Sequence, residues 1–228
     1  MKKIFDSFTQ MLFPNLCICC SDFLSFQEKN ICTLCHYTLP NFEYNTIENS
    51  LQKKFWGRLP VAYSFAYLAY KSNNNVQKIL RHIKYQRNKS LGFEMGKALG
   101  EMIFNLNMNL SFDYIIPVPL HSRRLKSRGY NQAEIIANGV SSVLNIPLLR
   151  SAILRIHDNT SQTSKSRFER HIDSHDIFIN ASDIDLEGKH ILIVDDVITT
   201  GSTLISCGST LLKINNIKLS LASLAVAI

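Results

Sequence analysis

No apolar run in this 228-residue sequence approaches the roughly 20 residues that cross a bilayer, so no transmembrane helix is expected. Met1-Lys2-Lys3 begins as a secretory signal would, but Asp6, Thr9 and Gln10 break the apolar stretch behind it and no small-residue cleavage site follows. Internal repeats and low-complexity tracts are also lacking. Acidic residues are the minority, 18 against 25 Lys and Arg, and the formal charge of +7 favours anionic partners without bearing on the fold. Beyond residue 35 cysteine is nearly absent, Cys207 being the exception. The expected location is the cytoplasm, where disulfides are disfavoured. What is there, 46% apolar and 19% charged residues, is the composition of a soluble globular protein. At about 150 residues per domain, it has the length of one to two domains and can bury a sizeable core.

The most informative stretch is 191–203, ILIVDDVITTGST. Residues 191–194 are four branched apolar residues, the pattern of a short strand buried on both faces of a parallel sheet. Asp195 and Asp196 follow, where such a strand is expected to end. Thr199, Thr200, Gly201, Ser202 and Thr203 then form a small, hydroxyl-rich loop, and an amphipathic helix is expected over 204–213. Free N–H groups and the dipole at a helix N-terminus favour an anion, Gly201 lets the backbone close on it, and the hydroxyls donate to its oxygens. The two carboxylates suit sugar hydroxyls or Mg²⁺-bound water. Because adjacent strand residues face opposite ways, one is expected to do most of the ribose work and the other to orient it or the metal. A ligand-free turn has no need of two adjacent, mutually repelling acids. A Walker P-loop is excluded because the loop lacks its lysine. A phosphoaspartate site leaves the hydroxyl loop without a purpose.

Cys17, Cys19, Cys20, Cys32 and Cys35 crowd into one short stretch. Cys17-x-x-Cys20 and Cys32-x-x-Cys35 have the spacing of a tetrahedral zinc site, structural because four cysteines leave no open position. Cys19 and His36 are spare candidates for a ligand. So small a lobe would draw much of its folding energy from the metal.

Residues 41–60 show no clear period and read as a linker. A strand is expected over 64–70 and a helix over 76–85, whose cations Lys78, Arg81, His82 and Lys84 read as a solvated face. A second helix over 91–106 carries Gly92, Gly96 and Gly100 at every fourth position, the mark of a close helix–sheet or helix–helix approach. A strand over 114–118 ends in Pro117-Val118-Pro119, a rigid extended exit. Arg123, Arg124, Lys126 and Arg128 follow in a basic run, expected as a mobile cover suited to anionic oxygens or a nucleic-acid backbone. Residues 3–13 read as a short amphipathic helix and 133–144 as a longer one. Strands are expected over 153–156, 177–179 and 219–226. Alternating strands and helices imply an α/β parallel sheet, with ligands beyond the strands' carboxyl ends. The proline exit and the acidic exit should meet there.

VDDVITTGST resembles the phosphoribosyl-pyrophosphate (PRPP) motif of type I phosphoribosyltransferases. Together with the four-cysteine element and PVPLHSRRLKSRGYNQAE, it is most similar to the ComF family, phosphoribosyltransferase-like proteins associated with natural competence. The resemblance implies a type I phosphoribosyltransferase-like fold over 61–228, with a zinc-binding element over 1–45. It implies PRPP with Mg²⁺, the ribose at Asp195 and Asp196, the 5′-phosphate at Thr199–Thr203, and the diphosphate at Arg123, Arg124, Lys126 and Arg128. It also implies single-stranded DNA and a competence helicase as partners. Where the family carries Asn after its Gln-Thr and Arg segment, this chain has Asp173. The alternative is an active phosphoribosyltransferase using an unidentified base or amine. A glutamine-dependent amidotransferase is set aside, because position 2 is Lys2 rather than cysteine and no glutaminase domain fits.

Overall fold

The computed structural model describes residues 15–43, 50–71, 74–106, 108–156, 178–181 and 183–228. The helix expected over 3–13 and the polar segment with Asp173 lie outside the described residues.

Four strands form one parallel sheet in the order β1-β6-β5-β2: β1 (Ser64–Tyr70), β2 (Tyr114–Pro117), β5 (His190–Ile198) and β6 (Lys218–Ala227). This confirms the α/β parallel architecture. The sheet is covered on both faces, and β5 shows why its sequence is apolar without alternation. Leu192 and Val194 join a core layer with Ile79 and Ile83 of α3 (Asn75–Tyr85), Leu99 of α4 (Lys89–Asn105) and Val140 of α6 (Gln132–Leu144). Ile191 and Ile193 join the opposite layer with Leu204, Cys207 and Leu211 of α7 (Ser202–Leu211). A small antiparallel pair, β3 (Ile153–Arg155) and β4 (Phe178–Asn180), stands apart from the main sheet.

Three expectations are corrected. The described part of 41–60 is not a linker: Asn41 bridges Leu68, and Leu51, Phe55 and Leu59, in and after α2 (Ser50–Lys53), are buried in the core. The aperiodic sequence hid this because the segment buries through a short helix and turns. The basic run is helix α5 (Ser122–Arg128), capped by His121 and stopped by Gly129 in the left-handed region at φ 84°. Strand β5 does not stop at Val194; Asp195 and Asp196 lie within it, Asp195 paired with Ser223 of β6.

The glycines at every fourth position of α4 mark a helix–helix contact. A Cβ at Gly96 would stand 2.2 Å from the Ile136 carbonyl oxygen of α6, and one at Gly139 would stand 2.4 Å from that of Phe93. The two backbones touch where side chains are missing. The cysteine-bearing lobe, with α1 (Thr33–Tyr37), docks on α3 and α4 through polar contacts. Asn30 donates to Glu94 at 2.8 Å and accepts from Asn88 at 2.7 Å, and the Lys78 ammonium donates to the Cys19 carbonyl.

Candidate functional site

β2 and β5 are neighbours with Pro117 opposite Val194, and the Val118 N–H donates to the Val194 carbonyl at 2.8 Å. The proline exit and the acidic exit therefore meet at the carboxyl edge of the sheet, the place where open parallel sheets take ligands.

Alternation along β5 sends the two acids to opposite faces. Asp196 lies on the α3 side, where its Oδ2 is 3.1 Å from the Lys84 ammonium. Asp195 lies on the α7 side, close enough to Cys207 for its charge to oppose ionisation of that buried thiol. Burial, and then the negative charge of Asp196, push the Asp195 carboxyl up to about 7. The Asp196 N–H bonded to it at 2.8 Å and the positive charges of Lys84 and Arg155 work the other way without prevailing. Carboxylates at this edge are hard oxygen donors of the kind that Mg²⁺ takes beside substrate phosphates.

This shift has a stability consequence with a definite sign. In the unfolded chain the carboxyl titrates near 3.8, in the native state near 7. Between these values the native state keeps a proton that the unfolded chain has lost, so the group's contribution is full below about pH 4 and is lost as pH rises through about 7. Asp195→Asn is therefore expected to raise the melting temperature over wild type at pH 8 but not at pH 4, measured without divalent metal. An equal effect at both pH values would contradict the raised carboxyl.

Past β5 the loop turns through Gly201, whose φ of 78° suits glycine, and a Cβ there would meet the Phe55 ring at 2.9 Å. Gly201 is the N-cap of α7 and offers no side chain to the first-turn N–H groups. Thr199, Thr200 and Ser202 are exposed and Thr203 is half-buried. The Thr200 and Ser202 hydroxyls share a hydrogen bond of 2.7 Å, and Arg58 donates to the Thr200 carbonyl at 3.3 Å. Donor groups, a helix N-terminus and a nearby guanidinium make this loop suited to a phosphate.

Beside Asp196 opens a cleft of about 330 Å³ lined by Lys84, Tyr85, Arg87, Arg124, Ser127 and Arg128. The four cations expected to act together are divided: Arg124 and Arg128, one helical turn apart, line the cleft, whereas Arg123 and Lys126 do not. Arg128 donates to Gln132 at 2.6 Å and lies over the Tyr85 ring at 5.3 Å. The buried Tyr130 hydroxyl donates to the Ile83 carbonyl, tying the segment after α5 to α3. Among Tyr63, Phe65, Tyr67, Tyr70, Tyr85 and Tyr130, Phe65 and Tyr130 are core and Tyr85 is the one that is largely exposed.

Lys84, Arg155, Arg58 and Phe55 were not among the expected site residues. Lys84 belongs to the basic face read as solvated, yet it is turned onto Asp196. Nothing in its own helix announces this, because its partner lies 112 positions later in the chain.

In the lobe, the sulfurs of Cys17, Cys20, Cys32 and Cys35 all lie within 4.8 Å of one another, and those of Cys20 and Cys32 are 3.7 Å apart. Four thiolates about 2.3 Å from a zinc ion would be spaced by about 3.8 Å, so the donor set fits that metal. Backbone N–H groups aim at the sulfurs, from Cys32 to Cys17 at 3.3 Å and from Cys35 to Cys32 at 3.4 Å. Burial opposes ionisation of Cys17, but N–H groups of Cys20, Cys32 and Cys19 outweigh it and bring the thiol down to about 6. Cys19 and His36 are not in the cluster; burial pushes the Cys19 thiol up to about 11.

Residues 125–227 match the phosphoribosyl transferase domain family. Competence protein F of Haemophilus influenzae is 38% identical over 91 residues, which are 40% of this chain and 40% of that protein. Competence protein ComFC of Bacillus subtilis is 31% identical over 40% of this chain and 34% of its own length. DNA utilization protein YhgH of Escherichia coli is 28% identical over 55% of this chain and 56% of its own. The chain thus spans about a third to just over half the length of these curated relatives.

Proposed function

Since the chain belongs to the ComF family of competence-associated phosphoribosyltransferase-like proteins, we propose that it binds PRPP with Mg²⁺ at the sheet edge and supports the handling of single-stranded DNA during natural transformation. The observation that carries this reading is the convergence of Asp195, Asp196, the loop 199–203 and the basic cleft at the adjoining ends of β2 and β5. The loop takes the 5′-phosphate on its hydroxyls and on the N–H groups of α7. The acid pair takes the ribose hydroxyls. Arg124 and Arg128 meet the diphosphate, with Arg123 and Lys126 on the outer side of α5 left for longer-range attraction. A bound Mg²⁺ supplies charge neutralisation between carboxylates and diphosphate. Tyr85 offers a base-stacking face beside four cations, the pairing that sequence-tolerant single-strand binding uses. The units proposed are the metal lobe over 1–45 and the phosphoribosyltransferase-like unit over 61–228, to which the buried Leu51, Phe55 and Leu59 attach residues 50–60. Among the described residues no helix is long and apolar enough to cross a membrane. The location proposed is the cytoplasm, and the protein partner proposed is a competence helicase.

Calorimetric titration with PRPP and Mg²⁺, alone and with a labelled thymidine oligonucleotide at low salt, tests this. Micromolar or tighter PRPP binding and salt-sensitive oligonucleotide binding are expected; absence of either removes that half of the reading. Release of diphosphate from PRPP over a panel of bases and amines would favour the enzymatic alternative.

Zinc is assigned to Cys17, Cys20, Cys32 and Cys35. The purified chain is expected to carry one equivalent by elemental analysis. Cys32→Ser should lose it and make residues 15–43 the first site of proteolysis, because the small lobe leans on the metal. Retention of the full equivalent by this variant would refute the assignment.

A further inference from the structure

One side chain belongs to both the acid pair and the basic cleft. Lys84 sits in the last turn of α3 with its ammonium 3.1 Å from Asp196, and it lines the cleft with Arg87, Arg124 and Arg128. Among the described residues no carboxylate lines that cleft. Both partners of the ion pair are mostly shielded, at 22% and 14% side-chain exposure, so neither charge is left unpaired without cost. A ligand whose hydroxyls or metal ion engage Asp196 displaces the ammonium. The flexible stem of lysine lets it turn into the cleft, where it then needs an anion. A diphosphate supplies that anion. A sugar phosphate lacking one takes Asp196 from Lys84 and returns nothing.

Resting on the reading of the site given above, we propose that Lys84 is the specificity-determining residue by which this site favours ribose 5-phosphate bearing a diphosphate at C1′ over ribose 5-phosphate itself. It exchanges Asp196 for the diphosphate as the ligand seats.

The test compares wild type, Lys84→Met and Lys84→Arg by calorimetric titration with PRPP and with ribose 5-phosphate, both with Mg²⁺, after melting curves show all three folded. The expected result is a PRPP affinity reduced ten-fold or more in Lys84→Met, an equal or greater affinity for ribose 5-phosphate, and a preference retained in Lys84→Arg. Equal weakening of both ligands in Lys84→Met, the result of a merely structural role, overturns the proposal. So does an unchanged PRPP affinity. If the wild type binds neither ligand, the underlying reading falls and takes the proposal with it; if the wild type binds PRPP and Lys84→Met binds it equally well, the Lys84 exchange alone is wrong.

Discussion

The double variant Asp195→Asn/Asp196→Asn is expected to lose at least 100-fold in affinity for PRPP with Mg²⁺, about 2.7 kcal/mol. The side chains keep their size, so strand β5 and its pairing with β2 and β6 should persist. What goes is the charge. Asparagine oxygens are poor partners for a hard divalent cation, and neither the buried carboxyl of Asp195 nor its repulsion from Asp196 survives the change. The single variants should differ. Asp196→Asn strands the Lys84 ammonium, a shielded cation without its anion, and carries a folding penalty. Asp195→Asn removes a carboxyl that the fold holds against its preference and should be the more stable of the two above pH 7. Calorimetry with melting curves at pH 8 separates these effects. An unchanged affinity in the double variant would end the reading of this edge as a sugar-phosphate site.

The second large effect is on stability. Gly139→Ala should destabilise the protein by about 3 kcal/mol or more and lower its melting temperature by about 6–12 °C. The added methyl would lie 2.4 Å from the Phe93 carbonyl oxygen and 2.7 Å from the Lys97 nitrogen, both main-chain atoms of α4. Relief requires the two helices to part, which opens the layer formed by Leu99, Ile136 and Val140. Gly92→Ala is the control: its methyl would meet the Ile135 side chain at 3.0 Å, and a side chain can yield. It should cost far less in the same melting experiment. Equal losses would mean that the contact between α4 and α6 is looser than described.

The two glycine positions also show how far the chain can be read along its length. Gly92, Gly96 and Gly100 repeat at helical spacing, so a close approach to something was legible. That the something is Gly139 of α6, rather than the sheet, follows from which helix lies alongside, and no local pattern encodes that.

A similar division runs through the site. The apolar run of β5, the two acids, the hydroxyl loop, the proline exit and the paired cysteine spacing are local chemistry. Backbone propensity and side-chain character act over a few residues, so these could be read one after another, as could the parallel α/β architecture that their alternation implies. Three features depended on the packed chain. Phe55, from a stretch that reads as a linker, lies under Gly201 because a short buried helix carries no long period. Arg124 and Arg128 are separated from Arg123 and Lys126 because the run coils into α5 and a helix sends alternate pairs to different sides. Lys84 meets Asp196 because packing brings the last turn of α3 to the end of β5. The kinds of residue that make an anion site follow from local chemistry; which of them share it is set by long-range packing, since charges act on what is near in space and not on what is near in the chain.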